Sequence, residues 1–200
     1  MVTSSLSFSH HNPSSSSHRP LIRLATSEDI SEIAEVLTHS FHHFSPWMAW
    51  LYPLMKMGIA EDLRDRIYTH NTEYYCLIAT LEDNNSKKEN IVGTVEISFR
   101  NLYGSWSKNK KCPYISNLAV KKEFRRQGIA TQLLTKCEEI AQNWGHNNLC
   151  LHVLAENTTG QTVYMQNGYT IKQEETNLYS LFIKNKRRLL LQKSFINKPK

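Results

Sequence analysis

Two apolar runs, PYISNLAV at Pro113–Val120 and NLCLHVL at Asn148–Leu154, are separated by a basic turn and an amphipathic segment. Within that segment Ile129, Leu133, Leu134, Cys137, Ile140, Ala141 and Trp144 recur at the spacing of one helical face, and Gly145 ends it. This strand–helix–strand order constrains the fold more than any other feature. Two strands joined through a helix and lying in one sheet run parallel, with a right-handed crossover. A parallel pair is buried on both faces, so helices must cover both sides of the sheet.

The flanking segments supply the rest of that sheet. LIRLA from Leu21 reads as a short strand. TSEDISEIAEVLTHSF follows as a helix with Thr26 or Ser27 at its N-cap, and Ile30, Ile33, Ala34 and Leu37 on one face. Gly58 to His70 reads as a second helix. Residues 73–82 and 91–100 read as strands of a hairpin closed by the polar DNNSKKEN, and 101–112 as a loop. Thr158–Asn167 reads as a short helix, and YTIKQEE with TNLYSLFIKN as a closing hairpin. The expected order is β α α β β β α β α β β: an α/β class fold with one mixed sheet and helices on both faces.

The chain has 200 residues, enough for one domain with a sizeable core, and 40% are hydrophobic. No apolar segment reaches the roughly 18 uninterrupted residues a membrane span needs. The most apolar region, Phe44 to Ala60, is broken by Pro46, Pro53 and Lys56. The net charge is +6, but residues 184–200 hold seven Lys or Arg and no acid, which leaves the body close to neutral. That distribution argues for a solvated basic tail and against a nucleic-acid surface. Three segments follow: 1–19 a Ser-rich disordered tail, 20–185 the folded domain, and 186–200 a basic tail. Within the last, Arg187 to Ile196 has the pattern of a weakly amphipathic helix, and residues 188–200 are expected to be dispensable for turnover. Cys76, Cys112, Cys137 and Cys150 form no C-x-x-C pair, and no ligand set surrounds His42 and His43, so no metal is expected. The Ser-rich start lacks an apolar core for secretion but has some of the composition of a transit peptide.

The chemistry should sit where Pro113–Val120 feeds into KKEFRRQGIA. Ligands bind at the carboxyl ends of parallel strands, and a helix N-terminus with free N–H groups suits phosphate. On these residues alone a phosphate-binding loop and a plain surface turn relieved by Gly128 remain equally good readings.

The pattern R-x-x-G-x-A at Arg125, Gly128 and Ala130, directly after NLAV, resembles the acetyl-CoA pyrophosphate loop of the GCN5-related N-acetyltransferase superfamily. AENTTGQTVYMQNGY at Ala155–Tyr169 is similar to a second stretch of that family, with Asn157, Tyr164 and Gly168-Tyr169 at matching spacing. The resemblance implies that acetyl-CoA is the co-substrate. Leu118, Ala119 and Val120 would pair with its pantetheine arm. Arg125, Arg126, Gln127, Gly128, Ile129 and Ala130 would wrap the pyrophosphate, and Asn157 would hydrogen-bond the cofactor. Tyr164 would protonate the departing thiolate, and a backbone N–H of the splayed strand would stabilise charge on the acyl oxygen.

Three residues are candidates for accepting the amine proton. Glu96 lies on the strand expected beside 113–120. Tyr114 and His152 resemble a tyrosine–histidine pair of protein N-terminal acetyltransferase catalytic subunits, and a histidine has the near-neutral pKa that the task wants. The expected activity is transfer of acetyl to a primary amine, with a protein N-terminal α-amine or lysine ε-amine first. A small-molecule amine (polyamine, aminoglycoside or amino acid) is the alternative, and a non-catalytic acetyl-CoA-binding module a more distant one. The expected partner is a protein or peptide, with no nucleic acid and no membrane, and the protein a monomer or homodimer. Similarity to cyanobacterial and plastid members, through the WG…LHVL run, points to a cytoplasmic location, with chloroplast stroma as the alternative.

Overall fold

The computed structural model describes residues 19–41, 52–69, 73–82, 89–102, 111–175 and 187–195. The elements are β1 (Leu21–Leu24), α1 (Ile30–Phe41), α2 (Tyr52–Tyr68), β2 (Tyr74–Glu82), β3 (Glu89–Asn101), β4 (Lys111–Val120), α3 (Ile129–Asn143), β5 (Asn148–Leu154), α4 (Thr158–Gln166), β6 (Thr170–Glu175) and β7 (Arg188–Ser194). From β1 to β6 their order is the one the sequence implies. One seven-stranded sheet runs β1-β2-β3-β4-β5-β7-β6, antiparallel except where β4 meets β5.

Helices cover both faces, as a sheet with a buried parallel pair requires. On one face α1 and α2 set Ile33, Ala34, Leu37 and Leu63 against Cys76 and Ile78. On the other, α3 sets Leu133, Leu134, Cys137 and Ala141 against Val95, Ile97, Ile115, Leu149 and Leu151. Each fully buried leucine contributes about 1.5–3 kcal/mol. α3 comes in close because Gly93 lies beneath it: a Cβ there would meet Ala119 O at 3.1 Å and Ile129 Cγ2 at 3.2 Å. α2 begins six residues earlier than Gly58, since Pro53 falls in its first turn, where the missing N–H has no helical partner to lose.

The basic tail is corrected. Residues 188–194 are neither a helix nor an appendage but strand β7, hydrogen-bonded between β5 and β6. Leu189, Leu190 and Leu191 are all buried, on alternate faces. An apolar triplet fits a strand covered on both sides better than one stripe of a helix, and this site in the sheet supplies that cover. The domain therefore continues past residue 185, and the partner of β6 is β7. The segment TNLYSLFIKN lies wholly outside the described residues, as do His42, His43 and most of the DNNSKKEN turn. Among the described residues no helix is long and apolar enough to cross a membrane.

Candidate functional site

The site begins with an irregularity between β3 and β4. Thr94 faces Ala119 but Glu96 faces Ser116, so β4 carries one extra residue there. Asn117 absorbs it at φ 53°, a left-handed conformation that asparagine tolerates better than most side chains. Its Nδ2 donates to Glu96 Oε1 at 2.7 Å. Glu96 Oε2 accepts from Arg66 of α2. Glu96 is 1% exposed, so its charge depends on those two donors.

The bulge bends β4 where it leaves its parallel neighbour. Pairing between β4 and β5 is confined to Tyr114 with Cys150 and Ile115 with Leu151. Beyond these, Ala119 and Val120 still pair with Thr94 and Gly93 of β3, but among the described residues no strand pairs with their other edge. Outward backbone groups of Leu118 and Ala119 thus have no strand partner among the described residues.

A single 3-10 turn, Lys122–Phe124, carries the chain from this opening to α3. Arg126 and Gly128 both have positive φ, 63° and 76°. Arg125 Nε donates to Val120 O at 3.0 Å, which ties the turn to the end of β4. No side chain caps α3, and its first backbone bond is Gln132 N to Gly128 O. The preceding N–H groups and the positive end of the helix dipole face outward beside exposed arginines. This donor set fits a pyrophosphate. A Cβ on Gly128 would touch no protein atom, so the left-handed φ is what calls for glycine there. Gly128→Val should raise the Kd for acetyl-CoA more than tenfold, about 1.4 kcal/mol, as read by calorimetry on the folded variant. Unchanged affinity would remove the turn from the cofactor site.

Tyr164 comes in from α4, where Asn157 Oδ1 accepts from Gly160 N at 2.8 Å and caps the helix. That bond gives Asn157 a structural task on one of its two polar atoms. The Tyr164 ring packs edge-on against Tyr169, centroids 5.9 Å apart. Burial first, then neighbouring Tyr114, raises the Tyr164 pKa well above its ordinary value, so the hydroxyl keeps its proton.

Tyr114 and His152 project on the sheet face shared with Glu96. The Tyr114 hydroxyl is 2.9 Å from His152 Nδ1. His152 Nε2 lies 3.2 Å from Glu175 Oε2 of β6, off the direction of an aligned hydrogen bond, and is buried without another partner. Burial lowers the His152 pKa, with Glu175 opposing it. The imidazole is therefore neutral near pH 7, the state that accepts a proton. Arg100 lies over the Tyr114 ring, 4.4 Å from its centroid. Next along the same face, Cys112 Sγ donates to Cys150 Sγ at 2.9 Å.

The sequence-derived candidates thus fall into a group along β4 and the turn, Tyr164 on α4, and a Tyr114–His152 pair. Glu96 stands apart with both oxygens engaged. Asn117, Arg66 and Glu175 escaped the sequence reading. An asparagine inside the apolar YISNLAV is a signal for a bulge, whereas nothing local marks Arg66, thirty positions from its partner. Arg66→Ala should lower stability by about 2–3 kcal/mol in chemical denaturation, less than for a fully buried pair because Arg66 is a third exposed.

The sequence model described as Acetyltransferase (GNAT) family matches residues 34–169. Curated relatives from Arabidopsis thaliana carry chloroplastic names. GCN5-related N-acetyltransferase 10, chloroplastic, is 28% identical over 127 residues, which is 61% of this chain and 50% of that protein. The chain thus spans about half the length of that relative and less of the others. Among solved structures, a chain in the NatC complex bound to Gag peptide and CoA superposes with a TM-score of 0.64 at 15% identity, over 89% of this chain and 99% of that one. Nourseothricin acetyltransferase superposes with a TM-score of 0.50 at 20% identity, over 62% of this chain and 67% of that one.

Proposed function

The chain belongs to the acetyltransferase (GNAT) family, and we propose that it transfers acetyl from acetyl-CoA to the primary amine of a small molecule. The observation that carries this reading is the parting of β4 from β5 beyond Ile115 and Leu151, directly beside the uncapped start of α3. Acetyl-CoA supplies the acyl group as an activated thioester. The chain's own residues do the rest. Leu118, Ala119 and Val120 hold the pantetheine arm by their backbone, and residues 125–130 hold the pyrophosphate. Tyr164 keeps a proton ready for the thiolate. Tyr114 and His152 take the proton that the amine must lose. Glu96 is the weaker candidate for that task, because each of its oxygens already accepts a hydrogen bond, from Arg66 and Asn117.

Charge around the site guides the choice of acceptor. Two of the three α2 acids that could cradle a polycation are engaged, Glu61 by Arg64 and Asp62 by Arg66. Arg100 stands exposed over Tyr114. This balance suits an amine that also bears a carboxylate, as an amino acid does, better than a polyamine. The name of the nourseothricin enzyme adds support for a small acceptor. A protein α-amine is the second reading, favoured by the Tyr114–His152 bond and the fold shared with a chain of the NatC complex bound to Gag peptide. The chloroplastic names of the curated relatives support the plastid stroma over the cytoplasm.

Incubation with acetyl-CoA and a panel of amino acids, polyamines, aminoglycosides and N-terminal peptides, read by mass spectrometry, tests this. Acetylated amino-acid-type amines are expected. Products from peptides alone would establish the second reading. A protein that binds acetyl-CoA yet acetylates nothing would overturn both.

A further inference from the structure

We infer that Glu175 is a positioning residue of the proton-accepting site, fixing the tautomer of His152 so that Nδ1 is free to receive the proton of Tyr114. The inference rests on the reading of Tyr114 and His152 given above. Its own basis is geometric. β7 lies between β5 and β6, and register puts His152 opposite Leu190, Leu190 opposite Gln173, and Glu175 two residues further on. All these side chains share one face of the sheet. Glu175, at the far side of β7, thus reaches back over it to His152, with Oε2 3.2 Å from Nε2.

Each nitrogen of the buried imidazole has one neighbour of defined chemistry. A carboxylate only accepts, so the nitrogen facing Glu175 carries the ring proton. The other nitrogen, Nδ1, is then an acceptor, and the Tyr114 hydroxyl at 2.9 Å is its donor. The three groups form a directed chain. As the substrate ammonium passes a proton to the Tyr114 oxygen, the Tyr114 proton moves to Nδ1. The imidazolium that forms has the Glu175 carboxylate beside its Nε2, 3.2 Å away. One proton has moved from amine to imidazole, and no other bond changes.

Charge supports the same assignment. Among the described residues the charged groups around His152 are Glu175 from β6, Arg188 from β7 and Arg100 from β3, with the neutral Tyr114 from β4. Burial and the two arginines disfavour an imidazolium, and Glu175 is the group that offsets them. Without it the ring would resist the proton the reaction gives it.

The test is nitrogen-15 NMR of His152 in the full chain, joined to pH profiles of kcat/KM. Wild-type protein should show neutral His152 protonated on Nε2. In Glu175→Gln the tautomer persists, because the amide oxygen still accepts, but the His152 titration moves to lower pH. The acid limb of kcat/KM should follow it, with a roughly tenfold loss on the plateau. In Glu175→Ala the Nε2 preference should also weaken. A purely structural Glu175 would change melting temperature and rate but leave the limb in place. Nδ1 protonation in the wild type, or a His152 titration indifferent to both variants, would overturn the inference. The wild-type tautomer decides even where a variant fails to fold. Turnover of His152→Ala at the wild-type rate would instead defeat the underlying assignment of the base, whatever the NMR shows.

Discussion

Tyr164→Phe should lower kcat by roughly 10- to 10³-fold, about 1.4–4 kcal/mol of barrier, while acetyl-CoA still binds. The substitution keeps the ring, so its packing against Tyr169 and the α3 core survives and only the proton donor is lost. The raised pKa of Tyr164 adds a condition on the wild type. A hydroxyl held protonated by burial remains a donor beyond the ordinary tyrosine value of about 10, so kcat should not fall through Tyr164 ionisation below that pH. Single-turnover kinetics isolate the chemical step. A variant that matches the wild type there would move the donor role to water or another group.

Deleting residues 188–200 should abolish folding altogether. β7 pairs with β5 over seven positions and with β6 on its other edge. Its removal would strip three buried leucines, Leu189, Leu190 and Leu191, from both faces and expose the edge of the strand that carries His152. Domains of this size are stable by about 5–15 kcal/mol. Leu191→Ala alone should cost about 2–5 kcal/mol, so loss of the whole strand exceeds what the fold can absorb. Circular dichroism and thermal melting check both variants. A cooperative melt in the truncated chain would show that the sheet tolerates a gap between β5 and β6.

The same strand shows where reading the sequence runs short. RRLLLQKSFI carries charge at its start and a compact apolar triplet, a pattern compatible with a helix or a doubly covered strand. Periodicity cannot separate these over so few residues. What decides is a vacancy in the sheet beside β5, which no local window contains. Pro53 is a smaller case of the same kind, since a proline breaks a helix or sits in its first turn according to where the helix starts.

For the site, local signals went further. The turn at 125–130 and the helix after it are specified by glycine placement and helical spacing, and their meeting with the end of a parallel strand follows from chain order. Glu96 was visible as a carboxylate on a strand, but its engagement by Arg66 was not, because that contact depends on how α2 lies across the sheet. The sequence by itself determined the element order as far as β6, the parallel pair and the position of the turn at 125–130, all properties of neighbours in the chain. Only the tertiary structure decided which strand fills the centre of the second half-sheet, which charges neutralise one another and which groups face His152. Those depend on partners far apart in sequence, brought together by the burial of both sheet faces.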